Sequence, residues 1–262
     1  MLVKNTVQSL LFLLLFIPEF GSSQEPQWQA KSHSFTYEIG INWLKEENLI
    51  PIVHKGSING LTYRFEKWGK NYNEVFITLR YSKLKAGLET EKVTQNEQIS
   101  FGYCMGFLLL KKEKINFYLG YNLKYAHSLV EFPVWDESRA YWGASLTLGV
   151  SNRFIVRIKE KQNFIFSLDI NPLGFYSRPD EVRLYAQENW SLLSIVKTTN
   201  SDIKPGFVNN ILLSNFRTEY RFLTKKDHYF SLLYSVSYSR IQRTNEHPLI
   251  NSINNFGISL GF

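Results

Sequence analysis

Apolar and polar residues alternate with a period of two through most of the chain after about residue 33, the spacing that gives a strand one greasy and one polar face. Phe35, Tyr37, Ile39 and Ile41 alternate with Ser34, Thr36, Glu38 and Gly40, and Leu61, Tyr63 and Phe65 alternate with Thr62, Arg64 and Glu66. Further runs start at Val75, Ile99, Phe117, Trp142, Phe164, Leu212 and Phe230, and the last, Phe256, Ile258, Leu260 and Phe262, ends the sequence. Runs of this length and composition predict about ten strands, with no long amphipathic helix between them.

The connections alternate between two kinds. Short charged turns fall at 67–71, 111–114, 159–162 and 225–227, and longer segments at 43–57, 84–97, 128–139, 171–206 and 241–252. One end of the sheet therefore carries tight turns and both termini, and the other carries loops. The segment 171–206 supports two readings. Pro179-Asp180-Glu181 opens like a helix amino terminus, with Lys197 placed for its far end, which leaves ten strands. Alternatively Val182–Gln187 and Trp190–Val196 form a hairpin around Glu188-Asn189, which gives twelve. The fold class expected is all-β: a closed antiparallel up-and-down transmembrane β-barrel of about ten strands, alternatively twelve, over residues 34–262.

Alternation alone does not say which face is wet, because a soluble barrel inverts the same pattern. The apolar face carries large side chains almost everywhere, more Phe and Tyr than a narrow interior holds. The opposite face holds Ser, Gly, Thr and Asn with Glu38, Arg64, Glu66, Arg80, Lys124, Arg153, Arg157, Asp169, Arg217, Glu219 and Arg221. Mixed signs suit an enclosed, self-neutralising lumen, since unpaired charge there costs several kcal/mol. Ser231, Ser235, Ser237 and Ser239, then Gly257, Ser259 and Gly261, leave room for Arg217, Glu219 and Arg221 to reach Glu38 on the first strand. An ionic plug is expected there.

Composition agrees with this picture. Aromatics make up 16% of 262 residues, with 20 Phe and 15 Tyr. The mean hydropathy of -0.22 does not exclude a membrane barrel, which hides its apolar residues by alternating them. The net charge of +7 is spread along the chain, against a nucleic-acid role and compatible with anionic lipid head groups. The single cysteine, Cys104, sits on the lumen phase as a small filler, and no His or Cys cluster has metal-ligand spacing, so neither metal nor cofactor is expected. Residues 1–23 read as a cleaved signal peptide: Lys4 supplies the charge, Leu10–Ile17 the apolar core and Gly21-Ser22-Ser23 the small residues before the cut. Residues 24–33 would then be a short periplasmic segment.

The ending "NNFGISLGF", apolar at alternate positions and finishing on Phe262, resembles the terminal strand that bacterial outer-membrane β-barrel proteins present to their insertion machinery. Gln24 after the cut resembles exported proteins of Bacteroidota. The resemblance implies an outer-membrane location with both termini periplasmic. Its expected partners are outer-membrane lipid and lipopolysaccharide, the insertion machinery and other outer-membrane proteins.

Small barrels of this kind include lipid-A deacylases, acyltransferases and proteases acting at the outer rim. The rim candidates are His54, His127, Ser128, Glu131, Asp136, Glu137, Asp180 and His247. Glu131 could orient His127 toward Ser128 if Leu129–Glu137 were irregular, although adjacent residues on a strand point apart. No Asp-His and Asp-Asp pairing of the outer-membrane protease type matches spaced positions. His33 and His228 read as surface residues at the short-turn end, and the six tryptophans mostly as interfacial anchors near strand ends. The function expected is a barrel with a plugged or narrow lumen in a structural, interaction or accessory role. A lipid-A-modifying hydrolase and a narrow passive pore are the alternatives.

Overall fold

The computed structural model describes residues 31–46, 50–86, 93–132, 139–178, 202–224, 228–243 and 246–262. Every regular element among them is a strand: β1 Lys31–Glu46, β2 Ile50–Lys67, β3 Asn71–Ala86, β4 Thr94–Lys112, β5 Ile115–Phe132, β6 Arg139–Lys159, β7 Gln162–Ser177, β8 Lys204–Gly206, β9 Ile211–Leu223, β10 Tyr229–Ile241 and β11 Leu249–Gly261. Each long strand pairs antiparallel with its sequence neighbours, and β1 pairs with β11, so ten strands close into a barrel. The short β8 pairs with β7 at Gly174–Tyr176, past the last β7–β9 pair at Asn171–Leu213. It continues the place of β9 toward the loop end and adds no further strand to the ring. The ring closes with ten strands, not twelve; residues 179–197, on which the helix and hairpin readings rest, lie outside the described residues.

Closure depends on the seam between β1 and β11. Phe35 faces Leu260 and Tyr37 faces Ile258 across it. The His33 N–H donates to the Phe262 carbonyl at 2.8 Å and the Phe262 N–H donates back to His33 at 2.9 Å. Among the described residues the ten-strand ring has no open edge, as hydrocarbon surroundings demand. Strand β1 begins at Lys31, three residues before the boundary that the alternation marks, because this backbone pairing extends below the last lipid-facing residue.

The outer surface is apolar over its middle. Phe256 is 65% exposed, Leu260 62% and Ile39 53%, values that water would penalise and acyl chains would not. On β1 the outward face stays apolar from Phe35 to Trp43, matching the about 9–11 residues with which a tilted strand crosses hydrocarbon. Aromatic rings gather toward the short-turn end. His33 stacks on Phe262 and Phe262 on Phe35, Phe35 meets the Tyr63 ring at a tilt, and Phe164, Tyr220 and Phe222 are in contact further round. Such a girdle suits a membrane interface.

Strands run well into four of the five segments expected to be long loops. The strands flanking these four segments end at Glu46, Ala86, Phe132 and Ile241 and resume at Ile50, Thr94, Arg139 and Leu249. Above the belt the outward positions turn polar, at Lys55, Ser57, Lys83, Lys85, Gln95 and Glu97, while the hydrogen-bonded ladder continues. The apolar alternation therefore ends before the strands do.

Candidate functional site: the layered lumen

Inward side chains divide the lumen into a base, an ionic layer, a chamber and a cap. The base is apolar: Tyr72, Cys104, Tyr118, Ile155 and Ile165 are buried together, with Trp68, Phe76 and Leu108 against them. Trp68 lies 4.0 Å from Tyr72, ring centre to ring centre, and the Tyr118 hydroxyl donates to the Gly69 carbonyl at 3.0 Å, tying the β2–β3 turn over the opening. Gly102 makes this packing possible, since a Cβ there would stand 2.7 Å from the Phe76 ring.

The ionic layer is built on Glu74. Its carboxylate accepts from Arg64 at 2.7 Å, Arg153 at 2.9 Å and Arg217 at 3.4 Å, and from the Tyr72 hydroxyl. Arg153 also donates to Asp169 at 2.7 Å, and Ser151 shares that oxygen. Arg221 bridges Glu66 at 2.8 Å and Glu219 at 2.9 Å, and Arg217 reaches Glu66 at 3.7 Å. In the pairing order β3 and β9 stand opposite each other across the ten-strand ring, so the Arg217–Glu74 pair spans the bore. Multiple charge-assisted bonds on each carboxylate offset the desolvation that makes isolated buried ions costly.

Arg217, Glu219 and Arg221 do not meet Glu38, the partner that the sequence led us to expect. The small residues of β10 and β11 let the two arginines pass β1 entirely and reach β2 and β3. Glu38 instead accepts from Arg80 at 2.9 Å, Asn255 at 3.0 Å and Thr62 at 3.3 Å. Gly60 admits the Arg80 stem, 3.0 Å from where a Cβ would stand. Glu74, the hub, escaped the sequence reading; its signal was its phase, since it shares a strand face with Thr78 and Arg80.

Above lies a cavity of about 70 Å³, with Arg80, Lys124, Gln98, Ser128, Ser145 and Asn251 in its wall. Over it Leu44, Leu84, Val130, Tyr141 and Leu249 pack inward, with Tyr176, Ile211, Leu213 and Ile241 beside them. At the mouth the Arg178 guanidinium covers the Tyr141 ring and donates to the carbonyls of Ile241 and His247. These inward apolar residues contradict the simple rule that the greasy face is everywhere the outer one.

Among the described residues the catalytic candidates do not assemble. Strand β5 continues to Phe132, so the irregular segment that would have rescued the geometry is absent at 129–132. Ser128 points inward and donates to Asn96 at 2.8 Å, whereas His127 follows the outward phase and Glu131 is exposed. His54 is buried inside the upper lumen, 3.2 Å from the Thr94 hydroxyl, rather than on the rim. His247 is exposed; Asp136, Glu137 and Asp180 lie outside the described residues. His228 is exposed at the short-turn end, and His33 there bonds Tyr63 at 2.7 Å. Among the tryptophans, Trp43 faces outward with Lys55 over its ring, while Trp68 turns into the base and Trp142 is buried. Trp28, Trp135 and Trp190 lie outside the described residues.

No protein-family model and no curated protein matches the sequence. Among solved structures, the chain is similar to the outer membrane protease OmpT from Escherichia coli, with a TM-score of 0.48 at 8% identity, covering 92% of this chain and 98% of that one. It is also similar to the transport unit of the autotransporter AIDA-I from Escherichia coli, with a TM-score of 0.47 at 8% identity, covering 96% of this chain and 95% of that one. A third likeness is to Neisserial surface protein A, with a TM-score of 0.35 at 8% identity, covering 88% of this chain and 97% of that one. The chain is similar in fold to bacterial outer-membrane β-barrels.

Proposed function

We propose that this protein is a sealed outer-membrane barrel that serves as a membrane-embedded scaffold, in a structural, interaction or accessory role, and does not conduct solutes. The observation that carries the reading is the ion pair from Arg217 to Glu74, which crosses the full width of the ring between opposite strands and is flanked by Arg153, Arg64 and Arg221. A ten-strand bore filled by such side chains leaves no continuous aqueous path. Export by the leader at 1–23, insertion signalled by Phe262 and periplasmic termini belong to the same reading. So does contact with anionic lipid: Lys55, Lys83 and Lys85 are exposed just above the apolar belt, where phosphorylated head groups would stand.

Hydrolysis of lipid A has no geometric support among the described residues, since His127 and Ser128 emerge on opposite faces. Reconstitution of the purified protein in a planar bilayer tests the proposal. No discrete conductance steps are expected, and steady single-channel openings by the unmodified protein would refute the sealed reading in favour of a slim pore.

A further inference from the structure

We propose that the chamber above the ionic layer is a binding site for a small oxyanion, such as inorganic phosphate or sulfate, with Lys124 as its counter-charge. Between base and cap the inward charges are Arg64, Arg80, Lys124, Arg153, Arg217 and Arg221 against Glu38, Glu66, Glu74, Asp169 and Glu219, one cation in excess. All five arginines have carboxylate partners. Lys124 alone among these six cations makes no ion pair in the described residues, and it faces the cavity. An enclosed cation without a partner is costly, and an anion in the adjoining space removes that cost.

The wall supplies what such an anion needs beyond charge. The Gln98 amide nitrogen and the Ser145 hydroxyl are buried and unpartnered, and both line the cavity. Both are donors. Asn251 brings an unpartnered amide oxygen to the same wall, and rotation of that amide would present its NH2 instead. The cavity of about 70 Å³ has room for a small oxyanion or a few waters. It lies above the ionic layer, so its occupation from the mouth is independent of whether the bore conducts.

Calorimetric titration of the full-length barrel in zwitterionic micelles with inorganic phosphate, and separately with sulfate, tests the site. Saturable binding with one anion per barrel is expected. Lys124→Met should weaken it about tenfold or more, and Ser145→Ala severalfold, because a charged hydrogen bond outweighs a neutral one. A phosphorylated detergent represents lipid-borne phosphate and is expected not to compete; competition would move the site to the outer surface and overturn the proposal. It is equally overturned if the unmodified protein binds neither anion, or if Lys124→Met binds as tightly as the parent. Heat-modifiable gel mobility verifies the fold of each variant. Should Lys124→Met fail that check, the Gln98→Ala and Ser145→Ala pair decides, with unchanged affinity in both counting against the site.

Discussion

The ionic layer and the chamber are neighbours in one lumen, yet they solve the enclosure of polar groups in opposite ways. Around Glu74 each ionised side chain has an ion pair, with three arginines and one tyrosine converging on a single carboxylate, even though Arg153 Nε, Arg217 Nε and Glu219 Oε2 make no hydrogen bond. Around Lys124 several buried polar atoms, among them Gln98 Nε2, Ser145 Oγ and Asn251 Oδ1, have no partner among the described residues. The first region holds strands together across the bore; the second leaves space. Stability and vacancy are separated along the axis of the same barrel, and a substitution should therefore be felt according to its height.

The strongest way to break this contrast is at the hub. Glu74→Gln removes the charge that Arg64, Arg153 and Arg217 share and should lower stability by about 3–5 kcal/mol, as when one partner of a buried pair is deleted. Urea unfolding in micelles measures it, and a loss below about 1 kcal/mol would show that the network contributes little. Adding Arg64→Met to Glu74→Gln should restore part of the loss, because Arg64 pairs with no carboxylate but Glu74 among the described residues and is left stranded without it. Outside, Ile258→Arg places a charge in the middle of the apolar belt and should cost about 2–4 kcal/mol in lipid bilayers. A negligible cost there would mean that β11 does not face hydrocarbon. In the chamber, Ser145→Ala should change stability by no more than about 0.5 kcal/mol, since the hydroxyl has no partner to lose. A larger penalty would place Ser145 in the supporting framework and erase the distinction between the two levels.

The exterior was more legible in the sequence than the interior, for a physical reason. Lipid asks the same thing of every outward residue, so Phe35, Ile39, Leu260 and their kind repeat with a strict period. The lumen asks different things at different heights. Leu44 and Leu84 occupy the polar phase because the cap is apolar there, and Tyr72, Ile155 and Ile165 do so at the base. Glu38 and Arg80 stand two strands apart in the ring, with Gly60 of β2 directly between them in register. Arg217 finds Glu74 across the bore, and that choice depends on strand tilt and stagger, which period-two alternation does not encode. The rim candidates failed for a related reason: polar outward residues above the belt look like loop, yet β5 continues through His127, Ser128 and Glu131 with a full ladder.

The seam between β1 and β11 has a bearing on the order of assembly. Its register joins Ser34 to Gly261, the beginning of the ring to its end, so the hoop stays open until β11 has been delivered. Until then two rows of backbone donors and acceptors remain without mates, inviting the wrong neighbour. A carrier that shields those rows, and a site that releases them only into lipid, would have to act before the last rung is made.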